Sequence, residues 1–254
     1  MKGKPLIAAN WKMNKGIGES LDFFQKFKDK NIDYSQVDVL IAPPYISLYP
    51  MYKEMKANKS PILLSSQNIY MKDEGAYTGE ISALMVNSCG VTYTILGHSE
   101  RREYFNETDE IVNMKIKKAL SAELNVILCI GEREIEREAG VAYEVVLSQL
   151  GKSLVGVTEE EISRIAIAYE PVWAIGTGKT ASSDDAEAMH SEIRKKIETL
   201  YNKTIADSIR ILYGGSVKPE NIKELMQKED VDGALVGGAS LDVDKFYKIA
   251  TFYA

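Results

Sequence analysis

Glu170 is the residue around which a reaction can be built. It follows the run Ile165 to Tyr169, short and apolar with no polar face, the pattern of a strand buried on both sides in a parallel sheet. Pro171 has no N–H to give to a ladder, and Gly176 and Gly178 follow a small apolar segment, Val172 to Ile175, free to swing between two conformations. A carboxylate at the C-terminal end of a buried strand, followed by a flap that excludes water, is what a general base acting on carbon needs. The competing reading is a strand-end carboxylate paired with a surface Lys or Arg. His98 lies just beyond a second run, from Tyr93, and the residues after it can start a short helix. A helix N-terminus disfavours imidazolium, so a neutral His98 can donate a hydrogen bond that polarises a carbonyl, unless the backbone alone satisfies it. Lys12, past the run from Leu6, is one of few cations available for a phosphate or an oxyanion, unless its stem carries the charge out to solvent. Beside it, Asn10 can donate to a substrate oxygen or close a turn.

Paired glycines follow the last two apolar runs, Gly214 and Gly215 before Ser216, and Gly237 and Gly238 before Ser240. Either pair alone is a weak signal. Recurring after adjacent strands, they let backbone N–H groups converge on an anion such as a phosphate. Glu132 is another strand-end carboxylate, with no evident acid–base partner. Ala42 to Tyr45 reads as a rigid turn, and His190, within a helical pattern after Met189, reads as an ordinary helix residue. Residues 75–80, a glycine-bounded and partly aromatic loop, read as a surface excursion or a partner-binding loop.

These residues need a scaffold, and the apolar runs supply one. They begin near Leu6, Val37, Ile62, Tyr93, Asn125, Ile165, Arg210 and Gly233, and helical periodicity fills most intervals. Ala186, Met189, Ile193, Ile197 and Leu200 mark one helix, with Ser183 expected as its N-cap and Asp184 and Asp185 in its first turn. Leu21, Phe24 and Phe27 mark another, as do Val243, Phe246, Tyr247 and Ala250, and Pro219 is expected to begin the helix of Ile222, Leu225 and Met226. Eight strands alternating with eight helices over 254 residues predict an α/β fold, a single closed parallel (β/α)8 barrel spanning residues 1–254. In that architecture the reactive groups gather where the strands end.

Composition narrows the partners. The chain is 45% hydrophobic and carries 31 Lys plus Arg against 37 Asp plus Glu, a net charge of −6, without a basic block or aromatic–basic interleaving, which argues against nucleic acid. An anionic substrate must therefore be held by local features. No apolar run approaches the roughly 18 residues of a membrane span, and Leu6 to Ala9 is too short for a signal-peptide core, which places the expectation in the cytoplasm. Cys89 and Cys129 read as reduced, buried thiols, and two histidines argue against a histidine-rich metal site.

Taken together, the motifs NWKMN at 10–14, GAYTGE at 75–80, GHSERR at 97–102, CIGE at 129–132, AYEPVWAIGTGK at 168–179, YGGSV at 213–217 and LVGGASL at 235–241 resemble those of the triosephosphate isomerase family, in its order. The resemblance implies a TIM barrel that interconverts two triose phosphates through an enediolate, in glycolysis and gluconeogenesis, with no metal or organic cofactor. It implies Glu170 as base, His98 as neutral electrophile, an arrangement long described for this family, and Lys12 as electrostatic stabiliser. It also implies Asn10, Lys12, Gly176, Ser216, Gly237 and Gly238 as substrate-binding, Pro171 to Lys179 as the lid, and Glu100 as a supporting group near Lys12 and His98. A homodimer is implied, its loop of Tyr77, Thr78 and Glu80 reaching toward the other subunit. Two departures stand out: residues 85–87 lack the family's usual Lys-Asp pair, with consequences for local or subunit contacts, and Ser183 replaces a frequent proline, which suggests a looser start to the helix after the lid. An aldolase forming a Schiff base on Lys12 or Lys179 and a non-catalytic binding barrel are the competing readings. The latter expects the loss of Lys12, His98 or Glu170, and all three are present.

Overall fold

The computed structural model of the chain describes residues 3–174 and 181–254. Eight parallel strands, β1 (Leu6–Asn10), β2 (Asp38–Ala42), β3 (Leu63–Ser66), β4 (Tyr93–Leu96), β5 (Asn125–Ile130), β6 (Ile165–Tyr169), β7 (Ile211–Tyr213) and β8 (Gly233–Val236), pair in sequence order and close into a barrel. Closure is made where β8 meets β1. Leu6 lies opposite Gly233, whose φ of +151° brings the two backbones so near that a Cβ there would stand 2.0 Å from the Leu6 carbonyl oxygen. Any side chain would wedge the seam open.

Successive residues along each strand face opposite ways, and the core divides accordingly. Leu6, Ala8, Leu40, Ile127, Leu212 and Leu235 fill the barrel interior. Ile7, Ala9, Val39, Ile41, Val126 and Leu128 pack outward against the helices. Burial on both faces is why the strands lack the polar alternation of a half-exposed sheet.

Among the described residues there are twelve α-helices, not eight. Ser99–Tyr104, Glu134–Glu138, Glu159–Ile162 and Lys203–Ser208 are the additional ones, with at most two apolar residues each, too few for a 3.6-residue period to register. The other eight cover the barrel. Two helix starts differ from expectation. Ser182 caps the helix Ser183–Leu200: its side chain accepts from Asp185 N–H while the Asp185 carboxylate takes the Ser182 N–H at 3.1 Å. Ser183 instead lies in the first turn and donates to Glu224 at 2.5 Å, so this start is held by a reciprocal cap and a tie to a neighbouring helix. Pro219 stands in the turn before Ile222–Met226, outside the helix it was expected to begin.

Residues 72–80 are exposed, with Tyr77 leaning on Tyr70 at 4.7 Å between ring centroids. Asn87, at one departure from the family pattern, donates to the Ala122 carbonyl, while Met85 is exposed. Both cysteines are free thiols; Cys129 is buried as expected, whereas Cys89 is only half-buried. Among the described residues no helix is long and apolar enough to cross a membrane.

His190 is a core residue rather than an ordinary helix position. It is fully buried, packs edge-on to the Tyr169 ring, and its Nδ1–H donates to the Asp230 carbonyl at 3.0 Å. Burial holds its pKa down at about 4. The unfolded chain thus takes up a proton between pH 6.5 and 4 that the folded core refuses, so this contribution favours unfolding as the pH falls, reaching about 3 kcal/mol below pH 4. Asn at this position keeps an N–H donor and does not titrate. His190→Asn should flatten the fall in urea-unfolding free energy between pH 6.5 and 4 relative to the parent chain at equal concentration; an identical slope would contradict the assignment.

Candidate active site

At the C-terminal ends of the strands, Asn10, Lys12, His98, Glu170, Ser216, Gly237 and Gly238 line one cleft of about 510 Å³. Seven of the residues picked out by type and spacing thus meet. Gly176, with the lid segment 175–180 and Lys179, lies outside the described residues.

Glu170 is placed by backbone. Its N–H donates to the Ile130 carbonyl at 2.8 Å, continuing the β5–β6 ladder one residue past the strand. Gly131 makes room for it, since a Cβ there would lie 1.8 Å from the Glu170 carbonyl oxygen. The amide of Gln149 grips Gly131 from behind, accepting its N–H at 2.8 Å and donating to its carbonyl at 3.0 Å. After Pro171, the residues Val172–Ala174 form a single 3₁₀ turn. Glu132, which showed no partner in the sequence, ties the flanks of this segment together: fully buried, it accepts from the Tyr169 hydroxyl at 3.0 Å and the Trp173 indole N–H at 2.8 Å. Burial pushes its carboxyl up against those stabilising donors. It is a structural carboxylate, with Arg137 stacked over the Trp173 ring at 4.2 Å.

The Glu170 carboxylate has two donors. His98 Nε2 lies 2.9 Å from Oε1, and the Ser99 N–H donates to Oε2 at 2.9 Å. His98 is the N-cap of Ser99–Tyr104, and its Nδ1 accepts the Glu100 N–H at 3.2 Å. A ring nitrogen that accepts carries no proton, which leaves Nε2–H as the donor facing the Glu170 carboxylate. The Glu100 carboxylate also lies 3.7 Å from Nδ1. Burial pushes the Glu170 carboxyl up; the His98 ring, the Ser99 N–H and Lys12 outweigh it and hold the group below the usual carboxylate value.

Lys12 enters from β1. Its Nζ pairs with Glu100 Oε1 at 2.6 Å, which gives Glu100 the supporting place next to both Lys12 and His98. Its backbone has φ of +52°, left-handed for a residue with a Cβ, a conformation that costs about 1–2 kcal/mol and needs outside support. Asn10, 5% exposed, gives its side-chain oxygen to the Lys12 N–H at 3.0 Å, so its NH2 group is what it can offer a ligand. Closure of the barrel sets Lys12 against the second glycine pair: a Cβ at Gly237 would stand 3.8 Å from Lys12 Cε. The glycines do not all serve an anion, because the Gly214 N–H is taken by the Tyr169 carbonyl at 2.7 Å.

Several residues of the site carry no motif-like signal. Lys218 and Lys245 line the cleft and add positive charge to a negative chain, Lys245 from a helix at the far end of the sequence. Ser99, although inside the GHSERR motif, acts through its backbone N–H on Glu170. Gln67 and Gln149 act through carboxamides on backbone groups, visible only once the strands are side by side. Among the described residues no three of His, Cys, Asp and Glu gather as metal ligands.

A closed parallel barrel with a buried carboxylate, an imidazole and an ammonium at one mouth suits proton transfer next to a carbonyl in an anionic substrate. Sequence comparison agrees with that chemistry. The family model described as triosephosphate isomerase matches residues 5–253. A triosephosphate isomerase of Carboxydothermus hydrogenoformans is 52% identical over 246 residues, 97% of each chain. One from Alkaliphilus metalliredigens is 51% identical over 249 residues, 98% of this chain and 99% of its own, and one from Caldanaerobacter subterraneus is 48% identical over the same coverage. With a family match from end to end and relatives near half identity, the chain belongs to the triosephosphate isomerase family.

Proposed function

We propose that the cleft interconverts dihydroxyacetone phosphate and D-glyceraldehyde 3-phosphate, with Glu170 as base, His98 as neutral electrophile and Lys12 as electrostatic stabiliser. The observation that carries this reading is the 2.9 Å contact between His98 Nε2 and the Glu170 carboxylate at the mouth that Lys12 also lines. Glu170 takes a proton from C1 of the ketose. The C–H electron pair becomes the C1–C2 double bond, and the carbonyl oxygen gains the negative charge. The His98 Nε2–H and the Lys12 ammonium face that oxygen, stabilising the enediolate more than the neutral carbonyl, which is what lowers the barrier. Return of the proton from Glu170 to C2, with the hydroxyl proton moved between the two oxygens, leaves the aldehyde at C1.

Before substrate enters, the Glu170 charge is spent on His98 and Ser99, a state too well satisfied to be strongly basic. A carbonyl oxygen that draws the His98 N–H to itself removes one of those donors and expels water. Burial then dominates, and the carboxylate becomes the stronger base that carbon acids require. Asn10, Gly176, Ser216, Gly237 and Gly238 would hold the substrate oxygens and phosphate, with Lys218 and Lys245 attracting the dianion from the rim. Lys12, ion-paired with Glu100, serves as a charge rather than a Schiff-base nucleophile.

Residues 1–254 act in this reading as one catalytic barrel in the cytoplasm, working in glycolysis and gluconeogenesis as a homodimer. The exposed loop of Tyr77, Thr78 and Glu80, and the almost fully exposed Met13 next to Lys12, are the surfaces that favour pairing.

Isomerisation of glyceraldehyde 3-phosphate, followed through reduction of the ketose product, is the direct assay. Glu170→Ala should lower kcat by about 10²–10⁴ with a modest change in KM; near-full turnover would end its assignment as base. For Lys12→Ala, kcat should fall and KM rise together, with kcat down by roughly 10²–10³. A change confined to KM would reassign Lys12 to phosphate recognition. Glu80→Arg should shift the sedimentation profile toward monomer, and an unchanged profile would remove that loop from pairing.

A further inference from the structure

Lys12 holds a left-handed backbone, φ +52°, just outside a strand whose own residues are extended. Nothing in the lysine side chain favours that conformation, and a small rotation about it would swing the ammonium by several ångströms. Two carboxamides fix it. Asn10 takes the Lys12 N–H at 3.0 Å, and Gln67 Nε2 donates to the Lys12 carbonyl at 2.9 Å. The same nitrogen donates to the Ala42 carbonyl at 2.9 Å. Two carbonyl acceptors settle which way the Gln67 amide is turned, since only nitrogen can serve both. Ala42, the last residue of β2, also receives the Trp11 N–H at 3.1 Å. Gln67, which follows β3, therefore locks the turn after β1 to the end of β2 from the next strand along. It does not itself line the cleft.

We propose that Gln67 is a positioning residue for the reaction: by holding the Lys12 carbonyl against the end of β2, it sets the direction in which the Lys12 ammonium enters the cleft. This rests on the assignment of Lys12 as the electrostatic group. A displacement of about 1 Å at a reacting group costs up to roughly 100-fold, so removal of the clamp should be visible in kinetics while the fold survives. Substrate binding and the developing oxyanion both meet the same charge, so both kinetic constants should move.

A double-mutant cycle separates positioning from general structural support. Gln67→Leu keeps the bulk and removes both donors; Gln67→Glu keeps the shape and turns a carboxylate toward the two carbonyls, and serves if the Leu variant does not fold. Each should lower kcat/KM by roughly 10- to 100-fold, with kcat down and KM up, and should weaken competitive inhibition by inorganic phosphate. In a Lys12→Met background, either change should alter the residual kcat/KM by less than about twofold, because the group it positions is gone. Equal fold-losses in both backgrounds would overturn the proposal in favour of a scaffold role, and so would parent-like kinetics in the single variants. Parent-like activity in Lys12→Met alone would sink the role of Lys12, and this proposal with it, whereas a strong Lys12→Met defect beside inert Gln67 variants would reject the positioning role only.

Discussion

Pairing of β8 with β1 is the contact on which everything else rests. It brings a lysine from the start of the chain against a glycine pair from its end, and it turns eight separate strand ends into one rim. The seam depends on a close backbone approach at Gly233 and Leu6, which only a residue without a Cβ permits. Interior side chains such as Leu6, Leu212 and Leu235 fill the barrel, so the cleft is confined to the mouth and the polar groups there stand on a packed floor. Preorganisation of this kind lets charge develop without waiting for the protein to rearrange.

The rim concentrates opposite charges in a small space, and their arrangement limits what they can do. Glu170 meets His98 Nε2, while the Nδ1 of His98 is occupied as an acceptor from the chain itself. Lys12 is balanced by Glu100, the same residue whose N–H sets the histidine tautomer. A single short helix beginning at Ser99 thus supplies a donor to the Glu170 carboxylate, carries the His98 ring at its cap and pairs the Lys12 ammonium. Around it, Gln67, Gln149 and Glu132 hold backbone or ring groups still through hydrogen bonds that never reach a substrate. The overall negative charge of the chain makes the local lysines at this mouth more consequential, since the approach of an anion depends on them.

Much of this was legible in the order of residues. A strand buried on both faces writes itself as an unbroken apolar run, so all eight strand starts were placed to within a residue or so, and the barrel followed from their number and spacing. Glu170, His98 and Lys12 were legible because each is a polar residue set directly beyond such a run. What escaped had no local pattern. The four short helices contain too few apolar residues for a period, and Ser182 rather than Ser183 caps its helix because the choice turns on which hydroxyl the Asp185 N–H can reach. His190 looked unremarkable since burial depends on the packing of Tyr169 and the reach of Asp230 from a distant segment. Gln67 and Gln149 have the least signal, for a carboxamide that clamps a carbonyl across strands resembles any surface glutamine until the strands are neighbours.

The most direct test of proton transfer at this mouth is to let the protein convert glyceraldehyde 3-phosphate in heavy water and locate deuterium in the product by mass spectrometry and proton NMR. A carboxylate that carries the proton between carbons exchanges part of it with solvent, so deuterium should appear at C1 of dihydroxyacetone phosphate. Complete retention of the substrate hydrogen at full turnover would indicate a direct hydride shift and contradict the role given to Glu170.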